Sequence, residues 1–402
     1  MRVARRHVAI AGAGIAGLTA ALAMARAGFH VTIFERVVAP AEIGAGLQLS
    51  PNATRILAGL DVLNRLRPLA TAPQSVDLAS LASGRMLMRL ELDEKWLKGM
   101  GAPWLVTHRA DLHASLLQTA LRTHDATVHF GAEVDDVALH ARGVTIGIRE
   151  ADRLREMECA ALIGADGVWS RVRERITGSA TAEPTGLVAW RATADRLPDG
   201  VGAERVVAWL GRGAHLITYP LRGGASTNLV AVTRDLKFAP HETELAVDFE
   251  LSDFAAKLWP GLAPVLKSAG PWRRWPLYAV DPDGPWNEGA VALIGDAAHA
   301  MTPFSAQGAA MAIEDAWELA AAFAARPNDA AAAFRVYAET RRPRIKRVAR
   351  RAAFNRFVYH LGFPMAQARD LAFKLRKPEA FLADLDWLYA YKPTPLPPHP
   401  LV

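Results

Sequence analysis

A glycine-rich turn near the N-terminus constrains the fold of this 402-residue chain more than any other feature. The sequence GAGIAG at residues 12–17 follows a short apolar run and precedes an alanine-rich, helix-favouring stretch. Gly12 permits a tight turn, Gly14 lets the backbone approach a pyrophosphate, and Gly17 lets the helix pack closely on the strand. The pattern therefore predicts a βαβ unit that binds a dinucleotide at the N-terminus of its helix.

The second strand of this unit ends in an acidic residue, which indicates where a ribose would bind. Glu35 stands 18 residues after Gly17, and its carboxylate can accept hydrogen bonds from both ribose hydroxyls. Ile15 and Ala16 open the helix, whose N-terminus offers free N–H groups to the phosphates. The motif alone does not separate FAD from NAD, and an ordinary glycine-rich turn is the alternative interpretation.

A second strand-to-helix turn occurs in the middle of the chain. In the sequence GADG at residues 164–167, an apolar strand delivers Asp166 and Gly167 to a turn. Ser170 is placed to cap the helix that follows. Taken alone, this segment favours an ordinary strand-to-helix turn.

A third turn lies two-thirds of the way along the chain, in the sequence GDAAH at residues 295–299. A buried strand ends at Gly295 and places Asp296 where it can hydrogen-bond a ribityl hydroxyl. A helix that begins near Gln307 directs its positive end towards a flat ring. Such a dipole stabilises negative charge on a reduced flavin by roughly 0.3–1 kcal/mol.

Composition limits the remaining classes of protein. With 51% hydrophobic and 22% charged residues, the chain can fill a sizeable core, which excludes a disordered or collagen-like protein. The single cysteine, Cys159, excludes an internal disulfide, a flavin disulfide reductase and a cysteine-built zinc site, and we expect it in the core. We expect a cytoplasmic monomer or homodimer with no metal, no membrane span and, at a net charge of +6, no nucleic-acid partner.

Strand and helix patterns divide the chain into alternating segments. Nucleotide-binding βαβ material occurs three times and is interrupted twice by alternating, antiparallel-type strands, with residues 127–149 expected to form a β-meander. This predicts a discontinuous nucleotide-binding domain with a sheet-built substrate domain inserted into it. The predicted boundaries are 1–73, 104–180 and 281–330 for the nucleotide-binding domain, 74–103 and 181–280 for the substrate domain, and 331–402 for C-terminal helices and a tail.

The three motifs together resemble those of the single-component (class A) FAD-dependent aromatic hydroxylases. Further agreement is found at 44–53 (GAGLQLSPNA), at 108–112 (HRADL), and at Tyr337 with 341–343 (RRP). The ending DWLYAY at 386–391 resembles the salicylate hydroxylase branch, which includes 3-hydroxybenzoate 6-hydroxylase and 6-hydroxynicotinate 3-monooxygenase. The resemblance spans nearly the whole chain.

The resemblance implies roles for individual residues. Glu35 and Arg36 would hold the adenosine side of FAD, and Arg109 would reach its phosphates or ribityl chain. Asp166 lies in a motif tied to both FAD and the nicotinamide donor, whereas Asp296 would bind the ribityl–pyrophosphate region. The flavin ring would be lined by Pro303, Gly308 and Ala309, and the remaining cofactor-binding residues by resemblance are Gly46, Leu47, Gln48, Gly167 and Gly295. Only one GxGxxG motif occurs, so the donor is expected to dock transiently near the flavin.

Two polar residues are predicted to act on the substrate. His215 and Tyr219 stand four apart in a predicted strand and therefore share a face. In the resembled enzymes this strand faces the ring to be oxidised, so we interpret His215 as the general base for a phenolic proton and Tyr219 as a hydrogen-bond partner of the substrate. A structural strand histidine is the open alternative. Gln48 is interpreted either as a polar pocket residue or as a solvated loop residue.

Three further features receive structural interpretations. By the resemblance, His299 supports the flavin loop rather than acting as a base. Phe304 is apolar where some related enzymes carry a polar group, which leaves the polar contacts of the substrate open. The eight basic residues between Arg341 and Arg356 are interpreted as a solvated helix face that attracts anionic substrates or NADH phosphates, because aromatic residues and a nucleic-acid-binding fold are lacking there.

The fold implied by the resemblance is α/β: a discontinuous Rossmann-like FAD-binding domain of the GR2 type, an inserted mixed and antiparallel β-sheet substrate domain, and a C-terminal helical segment. The implied activity uses NADH or NADPH and O2 to hydroxylate a small hydroxylated aromatic or heteroaromatic carboxylate through a flavin C4a-hydroperoxide. Three alternatives remain open: an FAD-dependent epoxidase or tailoring hydroxylase of a larger natural product, a flavin dehydrogenase or reductase, and a non-enzymatic FAD-binding module.

Overall fold

The computed structural model describes residues 7–39, 46–141, 143–151, 153–177, 182–198, 200–234, 245–246 and 258–396. Its helices span Ile15–Arg26, Pro51–Gly59, Leu63–Leu66, Glu94–Met100, Arg109–Arg122, Arg171–Thr177, Ala263–Lys267, Asp296–His299, Gly308–Ala325, Ala330–Tyr359, Met365–Leu375, Pro378–Ala383 and Asp386–Tyr389. Short 3-10 turns lie at Arg67–Leu69, Arg222–Gly224, Pro260–Leu262 and Pro303–Ser305. Gly44 and Ala45 of the predicted GAGLQLSPNA stretch lie outside the described residues.

The described strands, numbered in chain order, are β1 (His7–Ala11), β2 (His30–Glu35), β3 (Gly46–Leu49), β4 (Ser75–Ser80), β5 (Met86–Glu91), β6 (Leu105–His108), β7 (Ala126–Phe130), β8 (Ala132–His140), β9 (Gly143–Glu150), β10 (Arg153–Cys159), β11 (Ala161–Gly164), β12 (Glu183–Ala194), β13 (Arg205–Gly211), β14 (Ala214–Leu221), β15 (Ser226–Arg234), β16 (Leu245–Ala246), β17 (Arg273–Ala279), β18 (Asn287–Glu288) and β19 (Val291–Leu293).

A six-stranded sheet carries all three predicted turns at one edge. Its order is β18-β19-β11-β1-β2-β7, and β19, β11, β1, β2 and β7 run parallel. Strands β1, β11 and β19 are almost entirely buried, because helices cover both faces of a parallel sheet and the strands are therefore apolar runs. The carboxyl ends of these three strands therefore bring the three motifs together, which is where open α/β sheets bind ligands.

The predicted β-meander is only partly correct. Strands β8, β9 and β10 form a three-stranded antiparallel sheet, but β7 pairs in parallel with β2 and belongs to the large parallel sheet. The reason is a single tight turn at Gly131, where φ is +69° and the chain passes from one sheet to the other. A sequence pattern of short strands does not distinguish these two partners.

A second large sheet contains β14, the strand with the two residues predicted to act on the substrate. Its eight strands follow the order β16-β17-β12-β15-β14-β13-β4-β5, and only β13 and β4 pair in parallel among its described strands. One face of β14 packs Leu216 and Thr218 against Trp209 and its neighbours. The opposite face carries His215, Ile217 and Tyr219, as the strand alternation predicts.

From Gly308 to Tyr389 the described chain is helical, and its helices pack against both sheets. Tyr337, on the long helix Ala330–Tyr359, is fully buried and donates a hydrogen bond to the carbonyl of Leu293 in β19 at 3.0 Å.

Cys159 is buried, as expected, and burial raises the pKa of its thiol to about 12. No helix among the described residues is long and apolar enough to cross a membrane. Within the same residues, no cluster of His, Cys, Asp and Glu has the arrangement of a metal site.

Candidate active site

A cavity of about 470 Å³ opens at the carboxyl edge of the parallel sheet. Its size lies in the range of ligand pockets in proteins. Most residues that the sequence assigned to a cofactor line this cavity: Gly12, Gly14, Ile15, Ala16, Glu35, Arg36, Gly46, Leu47, Gln48, Arg109, Asp166, Gly167, Asp296, Pro303, Gly308 and Ala309. Gly17 and Gly295 do not line it, and both instead support the elements that do.

The glycine turn is built as the motif predicts. Gly12 has φ +98°, and a Cβ there would lie 2.6 Å from the carbonyl oxygen of Ala165 in the neighbouring turn. A Cβ on Gly17 would lie 1.9 Å from the carbonyl oxygen of Gly12. These two glycines are therefore required for packing. Gly14, in contrast, has φ −72° and opens the helix without a side-chain cap.

Glu35 connects the end of β2 to the glycine turn. One carboxylate oxygen accepts a hydrogen bond from the Ala13 amide at 2.8 Å, and the other accepts from the Val37 amide at 3.1 Å. Both oxygens retain lone pairs, since a carboxylate accepts about four hydrogen bonds. The carboxylate is thus fixed at the cavity wall and can still bind a pair of hydroxyl groups.

The middle turn holds its aspartate through the helix that follows. Ser170 donates from its hydroxyl to Asp166 at 2.5 Å, and the Val172 amide donates to the other oxygen at 3.1 Å. The Ser170 hydroxyl also accepts from the Arg173 amide at 2.9 Å, so it caps the helix as predicted. Burial raises the pKa of the Asp166 carboxyl, and these hydrogen bonds oppose that rise.

The loop after β19 is held from behind by a buried ion-pair network. Asp315 accepts hydrogen bonds from the Gly295 amide at 3.0 Å, from His299 Nε2 at 2.5 Å and from Arg341 Nε at 2.8 Å. Burial raises the pKa of the Asp315 carboxyl, but the facing His299 and Arg341 outweigh this effect and lower it to about 2. His299 therefore positions the loop from outside the cavity.

Glu314 extends the network to the other side of the cavity. Its carboxylate accepts hydrogen bonds from Arg341 at 2.6 Å, from Arg344 at 2.6 Å and from Asn52 at 2.7 Å. Asn52 also donates to the Gln307 side chain at 3.1 Å. The network thus fixes the start of the helix Gly308–Ala325 relative to the helix that begins at Pro51.

The first cavity fits the pyrophosphate and ring of a dinucleotide such as FAD. Two helices, beginning at Ile15 and Gly308, direct N-termini without side-chain caps to its wall. Each N-terminus carries roughly half a positive charge, which favours an anionic ligand. A Cβ added to Gly14 or to Gly308 would meet no heavy atom of the described residues within 4 Å, so the backbone there is open for close approach.

A second cavity of about 480 Å³ adjoins the first. Gln48, Ile217, Pro303 and Ala306 line both cavities, so they form the junction between them. The rest of the second cavity is mostly apolar and reaches the C-terminal helices. Gln48 is therefore a pocket residue rather than a solvated loop residue.

His215 lies in the second cavity, paired with a histidine from the C-terminal region. The ring is 2% exposed, and its Nδ1 lies 2.9 Å from Nε2 of His360. Phe304 packs on it with ring centroids 5.0 Å apart. Burial lowers the pKa of His215 well below its usual value, and the adjacent His360 adds to this. Burial also lowers the pKa of His360 to about 4, with the positive charges of Arg356 and Arg234 contributing.

Tyr219 does not join His215 in the second cavity. Both side chains leave the same face of β14, but Tyr219 lines the first cavity and is 3% exposed. Its ring lies so close to Gly46 that a Cβ there would come within 2.5 Å. The Gly46 amide donates to Asn228 at 2.6 Å, which fixes the strand above the ring. Four residues of strand are about 13 Å long, which separates the two side chains.

The interpretation of the basic run as a solvated face is wrong for three of its members. Arg341 is fully buried and Arg344 bonds to Glu314, whereas Arg351 lines the second cavity. The spacing of residues along the helix could have indicated that Arg341 is buried, because Tyr337, Arg341 and Ile345 recur every four residues along one buried stripe. The sequence prediction also missed Tyr359 and Trp104 as cavity residues. Tyr389, which lines the same cavity, lies within the DWLYAY ending.

Comparison with known proteins agrees with this geometry. A family model described as an FAD binding domain matches residues 5–352. The chain is 33% identical over 386 residues to a 3-hydroxybenzoate 6-hydroxylase of Polaromonas naphthalenivorans (strain CJ2), with 96% of each chain covered. It is 34% identical over 402 residues to the 3-amino-4-hydroxybenzoate 2-monooxygenase PtnB3 of Streptomyces platensis, with 98% of each covered.

The fold is shared with a solved structure. Klebsiella pneumoniae HpxO complexed with FAD and uric acid superposes with a TM-score of 0.81 at 24% identity, covering 94% of this chain and 95% of that chain. The family match covers most of the chain, and its motifs meet in one cavity that fits FAD. The chain therefore belongs to the single-component FAD-dependent aromatic hydroxylase family, in the branch of salicylate hydroxylase and 3-hydroxybenzoate 6-hydroxylase, and is an FAD-dependent monooxygenase.

Proposed function

We propose that this enzyme hydroxylates a small aromatic or heteroaromatic ring that carries a hydroxyl and a carboxylate, with NADH or NADPH and O2 as co-substrates. The observation that carries the proposal is the junction of the two cavities at Gln48, Ile217, Pro303 and Ala306. A ligand of the second cavity would touch the residues that line the ring end of the cofactor cavity. The names of both curated relatives denote oxygenation of phenols that carry a carboxylate.

FAD would be held by the glycine turn, Glu35, Arg109 and Asp296, and it would supply reduction by NAD(P)H and activation of O2. The predicted segments of the FAD-binding and substrate domains remain part of this proposal. Since the chain has one GxGxxG motif, the nicotinamide donor is proposed to dock transiently at the same cavity.

His215 is proposed to take the phenolic proton, as the sequence suggested. Burial lowers the pKa of both His215 and His360, so both rings are in the neutral form at neutral pH and have a lone pair available for a proton. If Nδ1 of His215 donates to His360, then Nε2 of His215 is free to accept from the substrate. His360 is half-buried at the end of the long helix and passes the proton on towards solvent. Tyr219 is proposed to contact a ligand of the first cavity rather than the phenol.

The proposal is tested with purified, FAD-loaded enzyme and a panel of hydroxybenzoates and hydroxypyridine carboxylates under ¹⁸O2. NADH or NADPH oxidation is followed, and products are identified by mass. We expect one compound to accelerate oxidation of the donor and to gain one ¹⁸O atom. Donor oxidation without ¹⁸O in any product would instead support a dehydrogenase or reductase.

One observation favours a second candidate, an epoxidase or tailoring hydroxylase of a larger substrate. The second cavity continues past His215 to apolar side chains of the C-terminal helices, including Met365, Phe373 and Phe381. An extended apolar substrate would bury more surface there than a single ring does. Phenols with and without a long alkyl substituent separate the two: a strong preference for the alkylated compound supports the larger substrate.

A further inference from the structure

The second cavity contains one cation, Arg351, that has no counter-ion among the residues the structure describes. Three arginines line it, but Arg369 bonds to Asp370 at 2.8 Å and Arg376 pairs with Asp384. Arg351 makes no hydrogen bond or ion pair with any described residue, and its Nε is buried without a partner. Among the described residues that line the cavity, none is Asp or Glu. Arg351 is half-buried, with its Nε enclosed by the protein and no carboxylate facing it within the cavity, so the site favours an anionic ligand.

Other groups that line this cavity are hydrogen-bond donors. Trp104 is 6% exposed, and its buried Nε1–H has no hydrogen-bond partner among the described residues. The ring of Tyr389 packs on Trp104 with centroids 4.9 Å apart, and Tyr359 packs against His215 at 5.5 Å. Burial raises the pKa of Tyr359 and of Tyr389, while the nearby charge of Arg351 opposes this rise in both. Both phenols therefore stay protonated at neutral pH and can donate to an anion.

The rest of the wall around this cation is apolar or aromatic. Arg351 lies over the rings of Phe354 and Phe381, at 5.6 Å and 5.4 Å from their centroids. Such stacking holds the planar guanidinium in place and leaves its edge for a bidentate contact. A carboxylate matches this edge, because its two oxygens accept parallel hydrogen bonds from one guanidinium.

We propose that Arg351, assisted by Trp104, Tyr359 and Tyr389, binds the carboxylate of the substrate in the second cavity. This rests on the proposed function and makes it more specific. The carboxylate anchor, Arg351, lies on the C-terminal helix Ala330–Tyr359, whereas His215 and Ile217 of the junction lie on strand β14. Tyr359 spans the two, because it contacts His215 and is also near Arg351. A ring held between them would present its hydroxyl to His215.

Calorimetric titration of the FAD-loaded enzyme tests the anchor without requiring turnover. The probes are benzoate, 3-hydroxybenzoate and the corresponding uncharged amides. Wild-type enzyme should bind each carboxylate more tightly than its amide. R351M should raise the Kd of the carboxylates by about 30-fold or more and leave the Kd of the amides unchanged. R350M removes an exposed charge from the next position on the same helix and should bind like the wild type.

Two further variants keep the test decisive if R351M folds poorly. R351K retains the charge but loses the bidentate edge, so it should keep part of the preference for carboxylates. W104F removes one donor and should weaken carboxylates several-fold more than amides. The inference is overturned if the wild type binds amides as tightly as carboxylates, or if R351M weakens both classes equally.

Failure of the anchor and failure of the proposed function give different results. Arg351-dependent binding of benzoate, together with a panel in which no phenol gains oxygen, would retain the anion site and reject the proposed reaction. Oxygenation of a phenol carboxylate by an R351M variant with unchanged Kd would retain the reaction and reject the anchor.

Discussion

At the scale of single residues, the glycines of the first motif have different surroundings. Gly12 and Gly17 are packed against backbone atoms that leave no room for a side chain. Gly14 has space for a Cβ and a backbone conformation that any residue adopts. Gly14 lines the first cavity, so we expect the requirement for glycine at this position to come from the ligand rather than from the fold.

Substitution of Gly14 by alanine is therefore expected to separate binding from folding. The added methyl group would occupy space needed by the pyrophosphate, and such overpacking costs about 1–3 kcal/mol, or roughly tenfold and more in the Kd of FAD. Thermal unfolding of the FAD-free protein should be unchanged. Gly99→Ala is the matched control, because its Cβ also meets nothing within 4 Å and it lies outside both cavities. Equal FAD binding by both variants would remove the assigned role.

His215 leads to a prediction about pH. Because its pKa is lowered, the base stays neutral as the pH falls through 6.5, and product formation should decline only at more acidic pH. His215→Ala should lower the product formed per NAD(P)H consumed and remove this acidic limb, because a general base contributes about 10²–10⁴-fold to the rate of the proton-transfer step. The measurement is product yield against pH for an accepted phenol, with FAD occupancy held equal.

A matched control is His124→Ala, since this histidine is 96% exposed on a surface turn. It should show wild-type yields across the pH range. An unchanged yield in His215→Ala would mean that oxygen transfer needs no base, as the epoxidase alternative requires.

Sequence reasoning predicted the motif residues because each motif is local. The spacing of glycines and an acidic residue within one βαβ unit is dictated by a turn, a helix and a strand that are adjacent in sequence. Tyr219 shows what local patterns do not predict. Strand alternation correctly placed it on the same face as His215, but the two side chains line different cavities, and those cavities are formed by segments distant in sequence. The partner of His215, His360, lies 145 residues away, and nothing in the local pattern of either residue indicates the other.

At the scale of elements, the helix Ala330–Tyr359 combines two functions along its length. Its first half buries Tyr337 and Arg341 behind the cofactor loop, and its second half carries Arg351 into the second cavity. Composition suggested a solvated basic face, whereas the four-residue spacing of its buried residues sets the actual orientation. The number of charges in the helix does not reveal which face is buried, because exposed and buried arginines alternate within two helical turns.

Removal of the central cation of this helix should destabilise the fold. Arg341→Met leaves Glu314 and Asp315 without their main buried counter-charge, and breaking such a pair costs about 3–5 kcal/mol. The free energy of unfolding is measured by urea denaturation at neutral pH. Arg335→Met removes an exposed charge from the same helix and should change stability by less than about 0.5 kcal/mol. Equal effects of the two variants would contradict the network.

At the scale of the whole molecule, the two cavities are formed by different parts of the fold and share the wall made by Gln48, Ile217, Pro303 and Ala306. The parallel sheet brings three strand ends to the first cavity, and the eight-stranded sheet with the C-terminal helices forms the second. The fold class was predictable from the order of strand and helix patterns. The second cavity was not, since its residues come from Gln48, β14, the 303–306 turn and helices beyond residue 350.

A crystal structure of the enzyme with FAD and a phenol carboxylate tests the roles of the two cavities most directly. We expect FAD in the first cavity and the phenol in the second, with its hydroxyl at His215 and its carboxylate at Arg351. The ring of the phenol should contact the junction formed by Gln48, Ile217, Pro303 and Ala306. Density for the phenol outside the second cavity, or for FAD away from the glycine turn, would contradict these roles.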